Sequence, residues 1–228
     1  MVQRKSKGSR RGTDQGAGPL RSKVLKILEL LGREYPDPKL ELEYDNAFQL
    51  LVGAILAAQE SDRKVNSIRE EFFRKYPDPE AVVRAPLDQL EKDISVINFY
   101  RRKAKLIKKC CDAILKEFGG EIPKTVEEMV KLPGVGRKTA NMVIGGAFRL
   151  PAIIVDRHLL RVSRRIGLTG EEDPDRVELE LREVVPREDW TRFSFLLISH
   201  GKRICTARDP RCDACVICEL CDSCKVKV

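Results

Sequence analysis

The chain has 228 residues, with 43 lysine and arginine residues, 35 acidic residues and a formal net charge of +8. This length is sufficient for one large domain or two small ones with a substantial core. The sequence has no apolar run near the roughly 18 residues that a membrane span requires, and no signal-peptide pattern. We therefore expect a cytoplasmic monomer without membrane attachment.

Most of the net positive charge comes from the amino-terminal segment. Residues 1–23 contain seven lysine and arginine residues and one acid, Asp14, so they contribute +6 of the net +8. The segment is rich in Gly and Ser and poor in apolar residues, which is typical of disorder. We expect residues 1–21 to form a disordered basic tail that holds DNA, carries a nuclear address or only aids solubility.

The first half of the chain has helical periodicity. An amphipathic pattern predicts a helix over residues 23–31, and Pro36 follows its end. A second helix is predicted from the apolar spacing over residues 48–56, with Asp45 or Asn46 as its N-cap. This second helix has the pattern of a core helix.

Two segments that follow contain candidate contact residues. Residues 57–62 form a polar corner that includes Gln59, a solvated helix-end residue by pattern, and Asp62, the predicted cap of the third helix. Residues 94–105 place four basic residues behind an aromatic pair that begins with Phe99. Basic residues beside aromatic ones suit a nucleic-acid surface, but periodicity leaves a core position for Phe99 equally open.

The most informative segment is residues 132–140, with the sequence Leu-Pro-Gly-Val-Gly-Arg-Lys-Thr-Ala. Upstream, residues 125–128 read Thr-Val-Glu-Glu, which is the form of a capping box. Pro133 and Gly134 end the short helix that this box begins, and a second helical pattern starts at Arg137. The sequence therefore predicts a helix, a hairpin and a second helix.

The start of this second helix suits an anion. Glycines before a helix leave its first N–H groups bare, and the helix dipole favours a phosphate there, which makes Gly134, Gly136 and Arg137 candidate DNA contacts. Lys138 has a second interpretation. A cationic neighbour and the positive end of a helix favour the neutral amine, which attacks a sugar aldehyde to form a Schiff base. From the hairpin alone, a simple phosphate contact for Lys138 is equally open.

The second half of the chain is also helical by pattern. A short extended run, residues 151–155, ends at Asp156, which stands where the N-cap of the next helix belongs. Catalysis is compatible with capping, because a capping side chain is held in one rotamer. His200 is interpreted as a structural residue at a helix end. Strand alternation and βαβ units are absent from the sequence, so we predict an all-α fold.

Six of the eight cysteines lie in the carboxy-terminal segment. Because no secretion signal accompanies them, we expect metal or cluster ligation rather than a disulfide framework. The spacing suits zinc as well as an iron–sulfur cluster. Cys110 and Cys111 lie inside a predicted helix and are expected to be buried apolar residues. The six are Cys205, Cys212, Cys215, Cys218, Cys221 and Cys224.

In combination, residues 132–140, Asp156 and the pattern Cys205-x6-Cys212-x2-Cys215-x5-Cys221 resemble the endonuclease III family of helix-hairpin-helix DNA glycosylases. The resemblance extends over residues 22–222 and includes the polar corner with Gln59. A helix-hairpin-helix element alone occurs in many non-enzymatic DNA-binding proteins. The hairpin lysine, the aspartate and the cysteine pattern in this order are much more specific.

The resemblance implies a helix-hairpin-helix glycosylase fold with two domains. Residues 40–150 would form a six-helix barrel, and residues 22–39 and 151–228 would form a domain with a [4Fe–4S] cluster. Double-stranded DNA with a damaged base or an abasic site would lie between the domains, with the base flipped out. The implied cluster ligands are Cys205, Cys212, Cys215 and Cys221.

The resemblance also implies roles for single residues. Lys138 would displace the base and then drive β-elimination through a Schiff base, and Asp156 would stabilise the cationic sugar and assist proton transfer. Gln59 would fill the gap left by the flipped base, and Phe99 would wedge into the base stack.

Further implied contacts lie at the hairpin and in the cluster loop. The main-chain carbonyls of residues 132–135 are a possible site for a monovalent cation. Arg208 and Arg211 are candidate phosphate contacts, and the alternative for both is a solubilising role on an exposed loop.

The chain departs from the family pattern at four positions. Arg157 stands where family members usually have Thr, and Asn98 aligns with a common Gly. Cys218 and Cys224 are additional, and Cys218 could compete for the cluster. Arg157 and Asn98 bear on the preferred substrate, and Cys218 and Cys224 bear on which cysteines bind the cluster.

Three functions compete at this stage. The first is a nucleoid-associated bifunctional glycosylase and AP lyase that removes oxidised pyrimidines, which the presence of Lys138 favours. The second is a mismatch glycosylase of the same fold, for thymine or uracil opposite guanine or adenine opposite 8-oxoguanine. The third is a non-catalytic iron–sulfur protein that binds DNA or senses redox state, against which Lys138 and Asp156 argue together.

Overall fold

The structure, a computed structural model, describes residues 14–226. Within these residues the chain forms eleven α-helices, three short 3₁₀ helices and no β-strand, which confirms the predicted all-α class. None of the helices in this range has the length and apolar content needed to cross a bilayer. The α-helices are α1 (Asp14–Glu34), α2 (Ala47–Leu56), α3 (Asp62–Lys75), α4 (Pro79–Arg84), α5 (Leu87–Asp93), α6 (Tyr100–Phe118), α7 (Val126–Met129), α8 (Arg137–Gly146), α9 (Arg157–Arg165), α10 (Pro174–Val184) and α11 (Trp190–Arg203).

Helices α2 to α8 enclose the first of two hydrophobic cores. Helix α2 lies at its centre, where Leu50 and Leu51 are fully buried, and it packs against α3, α6 and α8. Gly146 at the end of α8 allows the approach to α2, because a Cβ there would lie 2.9 Å from Cδ2 of Leu50. The helix that carries the hairpin residues is thereby fixed against the central helix.

Helices α1, α9, α10 and α11 enclose the second core. Phe193 of α11 is fully buried there, and α11 packs against both α9 and α1. The extended run before α9 connects the two cores. Ala152 and Ile154 belong to the first core, whereas Ile153 and Val155 belong to the second, as the alternation of side chains in an extended chain requires.

Helix α1 is longer than its sequence pattern predicts. It begins at Asp14 rather than at Lys23, so the prediction of disorder over residues 1–21 is wrong for residues 14–21. Residues 1–13 lie outside the described residues. The added turns have a packing partner, because Leu20 is half-buried against the second core. An ion pair of 2.7 Å between Lys23 and Asp222 also holds this end of the helix.

The structure shows which residues cap α2 and α3. The sequence left the cap of α2 open between Asp45 and Asn46 and assigned the cap of α3 to Asp62. The side chain of Asn46, not Asp45, caps α2 and accepts a hydrogen bond from the Gln49 amide at 2.9 Å. The cap of α3 is Ser61 rather than the predicted Asp62, which is the first helical residue. Ser and Asp are both common N-cap residues, and α3 begins one position earlier than predicted.

The choice of Asn46 over Asp45 predicts different stabilities for two neighbouring variants. Asn46→Ala removes the cap of the central helix and lowers the free energy of unfolding by about 1 kcal/mol. Asp45→Ala removes an exposed carboxylate that pairs with Arg69, which keeps its hydrogen bond to Gln49, and changes the free energy of unfolding by less than about 0.5 kcal/mol. Urea denaturation of both variants measures the difference, and equal losses would contradict the assignment of the cap.

Candidate active site

The hairpin joins α7 to α8 and is held against α6. Thr125 caps α7, with its Oγ1 accepting from the Glu128 amide at 3.3 Å and donating to the Glu128 carboxylate at 2.7 Å. Gly134 turns the chain with a φ of 83°, and a Cβ at this position would lie 2.5 Å from Cδ2 of Leu106. Both the left-handed backbone and the close approach to α6 therefore require glycine.

The first turn of α8 faces solvent without a side-chain cap. Gly136 is the N-cap residue, and no side chain satisfies the amides of the turn that follows. Lys138 in this turn is exposed, and no described residue forms an ion pair with it. This turn offers bare N–H groups, the positive end of a helix dipole and a free amine to an anionic ligand.

Arg137, beside Lys138, points into the protein instead. Its Nε and Nη2 donate to the carboxylate of Glu178 at 3.1 and 2.8 Å, and this pairing raises the pKa of Arg137. Asn141 Nδ2 donates to the same carboxylate at 3.0 Å, and Arg182 forms an ion pair with it. The DNA contact of Arg137 stays a prediction, and Nε and Nη2 of its guanidinium are already occupied by Glu178.

The Glu178 carboxylate also connects the two cores. Its side chain is only 2% exposed, and it lies on α10 between the second-core residues Val177 and Leu181. Its partners Arg137 and Asn141 lie on α8, whose apolar residues belong to the first core. One buried carboxylate thus links the hairpin helix to the second core.

Asp156 is the N-cap of α9, as predicted. Its Oδ1 accepts both capping hydrogen bonds, from the amides of His158 at 2.8 Å and Leu159 at 2.7 Å. The second oxygen, Oδ2, has no hydrogen bond to a described residue, and the side chain is half-buried. The cap fixes the carboxylate in one orientation and leaves one oxygen available. Asp156 and Lys138 form no ion pair with each other within the described residues.

Two arginines of α9 brace the cysteine-rich loop rather than facing outward. Arg161 donates to the carbonyls of Gly201 at 2.7 Å and Cys205 at 2.9 Å. Arg165 donates to the carbonyl of Thr206 at 2.7 Å and lies 3.3 Å from Sγ of Cys205. The loop is therefore attached to the same helix that Asp156 caps.

Gln59 and Phe99 are both exposed on positive-φ backbone. Their φ angles are 55° and 58°, and the Phe99 side chain is 63% exposed, which excludes the core position that the periodicity left open. The carboxylate of Glu60 joins their two loops by accepting from the amides of Ser61 at 3.0 Å and Asn98 at 2.9 Å. These hydrogen bonds lower the pKa of Glu60 to about 2.

The four predicted cluster cysteines line one cavity of about 250 Å³. All four are free thiols, and Cys218 and Cys224 line the same cavity with their sulfur atoms next to each other, so competition of Cys218 for the cluster stays a prediction. Among the described residues, no three metal-binding side chains stand at the spacing of a single ion. The four are Cys205, Cys212, Cys215 and Cys221.

The cavity is partly buried and has a neutral histidine in its wall. Burial raises the pKa of the Cys215 and Cys221 thiols. Burial also lowers the pKa of His200 to about 4, and its Nε2 lies 3.5 Å from Sγ of Cys215. His200 is thus the buried structural residue that the sequence predicted, with a position beside a candidate ligand that the sequence did not indicate. Cys110 and Cys111 are buried in the first core, as predicted.

The two predicted phosphate contacts of the cysteine loop differ in their surroundings. Arg208 is exposed between Cys205 and Cys212. Arg211 is also exposed, but its Nη2 donates to the carbonyl of Arg203 at 2.6 Å, which fixes its orientation. Both guanidinium groups remain on the surface, where a phosphate can reach them.

Sequence reasoning missed two carboxylates that organise the site, Glu60 and Glu178. A signal existed for Glu178, because it lies one position after Val177 and three before Leu181, on the apolar face of an amphipathic helix. An acid on a buried face requires a partner. For Glu60 the sequence offered only its place in a polar corner, since the partner Asn98 is distant in the chain.

Comparison with known proteins identifies the family. The family described as "HhH-GPD superfamily base excision DNA repair protein" matches residues 52–187. Endonuclease III of Bacillus subtilis (strain 168) is 44% identical over 195 residues, which cover 85% of this chain and 89% of the relative. Endonuclease III of Synechocystis sp. is 41% identical over 204 residues, which cover 89% and 93%. The chain belongs to the endonuclease III family.

Solved structures agree with this membership. A trapped covalent intermediate of endonuclease III with DNA is similar at a TM-score of 0.85 and 38% identity, covering 90% of this chain and 97% of that one. A thermostable thymine-DNA glycosylase shares the fold at a TM-score of 0.80, but at 24% identity. The helix-hairpin-helix glycosylase fold is confirmed, and the protein is a base-excision-repair DNA glycosylase with AP lyase activity, as predicted. The mismatch glycosylase and the non-catalytic alternative are not favoured.

The buried Glu178 network predicts a large and specific effect on stability. Glu178→Ala leaves Arg137 and Arg182 without their shared carboxylate and lowers the free energy of unfolding by about 2–3 kcal/mol. Glu183→Ala, on the exposed face of the same helix, is the matched control and changes it by less than about 0.5 kcal/mol. Thermal and urea denaturation test this, and equal stability of the two variants would refute the role of Glu178.

Proposed function

We propose that the protein excises oxidised pyrimidines from double-stranded DNA, with Lys138 as the nucleophile and Asp156 as its acidic partner. The observation that carries the proposal is the exposed, unpaired amine of Lys138 in the uncapped first turn of α8. The surrounding turn is built to receive a phosphate, so the DNA backbone brings a sugar to this amine.

The reaction follows from the chemistry of an amine and a nucleoside. Nζ of Lys138 forms a bond to the anomeric carbon of the sugar, and the glycosidic bond breaks as the base leaves with its electron pair and takes up a proton. The sugar ring opens to an imine on Lys138. The imine acidifies the adjacent carbon, whose proton loss expels the 3′ phosphate and cuts the strand.

Asp156 supplies a fixed negative charge to this reaction. Its Oδ1 is occupied by the two capping hydrogen bonds, and Oδ2 is free to face the substrate. A carboxylate stabilises the positive charge that develops on the sugar as the base departs, and it relays protons in the later steps. The proposal puts the sugar between Asp156 and Lys138.

The DNA contacts divide into two groups. Gln59 fills the gap left by the flipped base and Phe99 wedges into the stack, which their exposure supports. The backbone amides at Gly134 and Gly136, together with Arg208 and Arg211, bind phosphates. A phosphate contact of Arg137 would use Nη1, because its Nε and Nη2 donate to Glu178.

The two hydrophobic cores support the proposed domain division. The first core fits the barrel domain of residues 40–150, and the second fits a domain of residues 22–39 and 151–228. DNA would then lie across the boundary, to which α8 and α9 both contribute. Action on chromosomal DNA by a monomer in the cytoplasm, at the nucleoid, is part of the same proposal.

The four free cysteines fit a [4Fe–4S] cluster. Cys205, Cys212, Cys215 and Cys221 line a single cavity, and thiolates are the ligands that such clusters take. When bound, the cluster would cross-link the loop and could exchange one electron. Arg161 and Arg165 of α9 donate hydrogen bonds to carbonyls of this loop, so an ordered loop would also hold α9 in place. The carbonyls of residues 132–135 remain a proposed site for a monovalent cation.

Borohydride trapping tests the nucleophile. Wild-type protein should form a covalent adduct with a duplex that contains an abasic site, and Lys138→Ala should form none because the proposed nucleophilic amine is removed. Lys116→Ala, an exposed lysine at the far end of α6, is the control and should trap like wild type. Persistence of the adduct in Lys138→Ala would contradict the proposal.

The substrate class is tested with the same assay on three duplexes. We expect trapping on a duplex with thymine glycol and none on a duplex with a thymine–guanine or uracil–guanine mismatch. Trapping on a mismatch duplex without trapping on thymine glycol would replace the proposed substrate by the mismatch alternative.

The two roles of Asp156 can be separated with one substitution. Asn caps a helix as well as Asp does, so Asp156→Asn should keep the free energy of unfolding within about 0.5 kcal/mol of wild type. It removes the charge and should lower the single-turnover rate of base excision by on the order of 100-fold. A rate within threefold of wild type would show that Asp156 is a cap only.

A further inference from the structure

We infer that Glu60 is a positioning residue that holds Gln59 and Phe99 together as one preformed element for insertion into DNA. The inference rests on the proposed function, because Gln59 and Phe99 are the residues proposed to enter the duplex. Glu60 itself would not touch the DNA.

Gln59 and Phe99 share an unusual backbone conformation. Only three non-glycine residues among those described have positive φ, and Gln59 and Phe99 are two of them. Left-handed backbone costs a non-glycine residue free energy, and it persists only where the surroundings impose it. The exposed side chains of Gln59 and Phe99 cannot supply this, since neither is buried in a core.

The Glu60 carboxylate imposes the left-handed backbone at Gln59 and Phe99. Glu60 is directly after Gln59, and Asn98 is directly before Phe99. One oxygen of the Glu60 carboxylate accepts from the amide of Ser61 at 3.0 Å, and the other accepts from the amide of Asn98 at 2.9 Å. The Glu60 side chain is only 7% exposed and forms an ion pair with Lys64 at 3.2 Å. One carboxylate therefore joins the corner after α2 to the loop before α6.

A third contact connects the same two segments. Lys103 of α6 is buried, and its Nζ donates to the carbonyl of Leu56 at the end of α2 at 2.7 Å. Its backbone amide donates to the carbonyl of Phe99 at 3.0 Å. Phe99 is therefore held on its amino-terminal side through Asn98 and on its carboxy-terminal side through Lys103.

These contacts have a consequence for DNA binding. Two flexible loops would each lose conformational entropy on entering the base stack, whereas a preformed pair has already lost it. Because both loops are tied to one carboxylate, Gln59 and Phe99 keep a fixed separation. Removing the carboxylate should therefore weaken the opening of a stacked duplex and leave the chemistry at Lys138 intact.

The test is a double-mutant cycle on the full-length protein. Glu60→Ala and Glu60→Gln are made in wild type and in a Gln59→Ala/Phe99→Ala background. Gln keeps the size of the side chain but faces one amide N–H with its own NH₂ group. The rate is measured as single-turnover excision of thymine glycol from a duplex, and as strand cleavage at an abasic site in single-stranded DNA.

We expect both Glu60 variants to lose about tenfold in duplex excision in the wild-type background, the size of one charge-assisted hydrogen bond. In the Gln59→Ala/Phe99→Ala background the same substitutions should cost less than about twofold, because the residues that Glu60 positions are gone. Cleavage of the single strand should also change by less than about twofold, since no stack has to be opened. Lys64→Ala, which removes the ion pair but keeps both amide contacts, should resemble wild type.

Two results would overturn the inference. Equal losses in both backgrounds would show that Glu60 does not act through Gln59 and Phe99, and unchanged duplex excision in Glu60→Gln would show that it does not act at all. If Glu60→Ala fails to fold, Glu60→Gln decides the matter. Failure of the proposed function looks different, because wild type itself would then lack excision activity on thymine glycol.

Discussion

The buried carboxylate of Glu178 is the contact on which the geometry of the site depends most. It lies on a helix of the second core and binds Arg137 and Asn141 on the helix of the first core that carries Lys138. A buried charge that several donors satisfy has one preferred arrangement, since each missing partner costs free energy. The turn that carries Lys138 is therefore joined to the second core through its neighbour Arg137.

Helix α9 couples the other half of the site to the cysteine-rich loop. Asp156 caps the helix at its start, while Arg161 and Arg165 donate to the carbonyls of Cys205 and Thr206. These hydrogen bonds join the loop to the helix that Asp156 caps. Under the proposed function, a cluster held by this loop would act on catalysis through α9.

Local sequence patterns predicted the local features of the site. The hairpin, the Thr125 capping box and the cap at Asp156 follow from residues within a few positions of each other. The partner of Arg137 and the contact between Glu60 and Asn98 could not be predicted, because each depends on how distant helices pack. The early start of α1 has the same cause, since Leu20 is helical where the second core covers it.

The central claim is that the amine of Lys138 forms the bond to the sugar. Its most direct test is peptide mapping of the borohydride-trapped adduct by mass spectrometry after proteolysis and nuclease digestion. We expect the sugar-derived mass to be attached to Lys138 alone. Attachment to another lysine, or to the amino terminus, would contradict it.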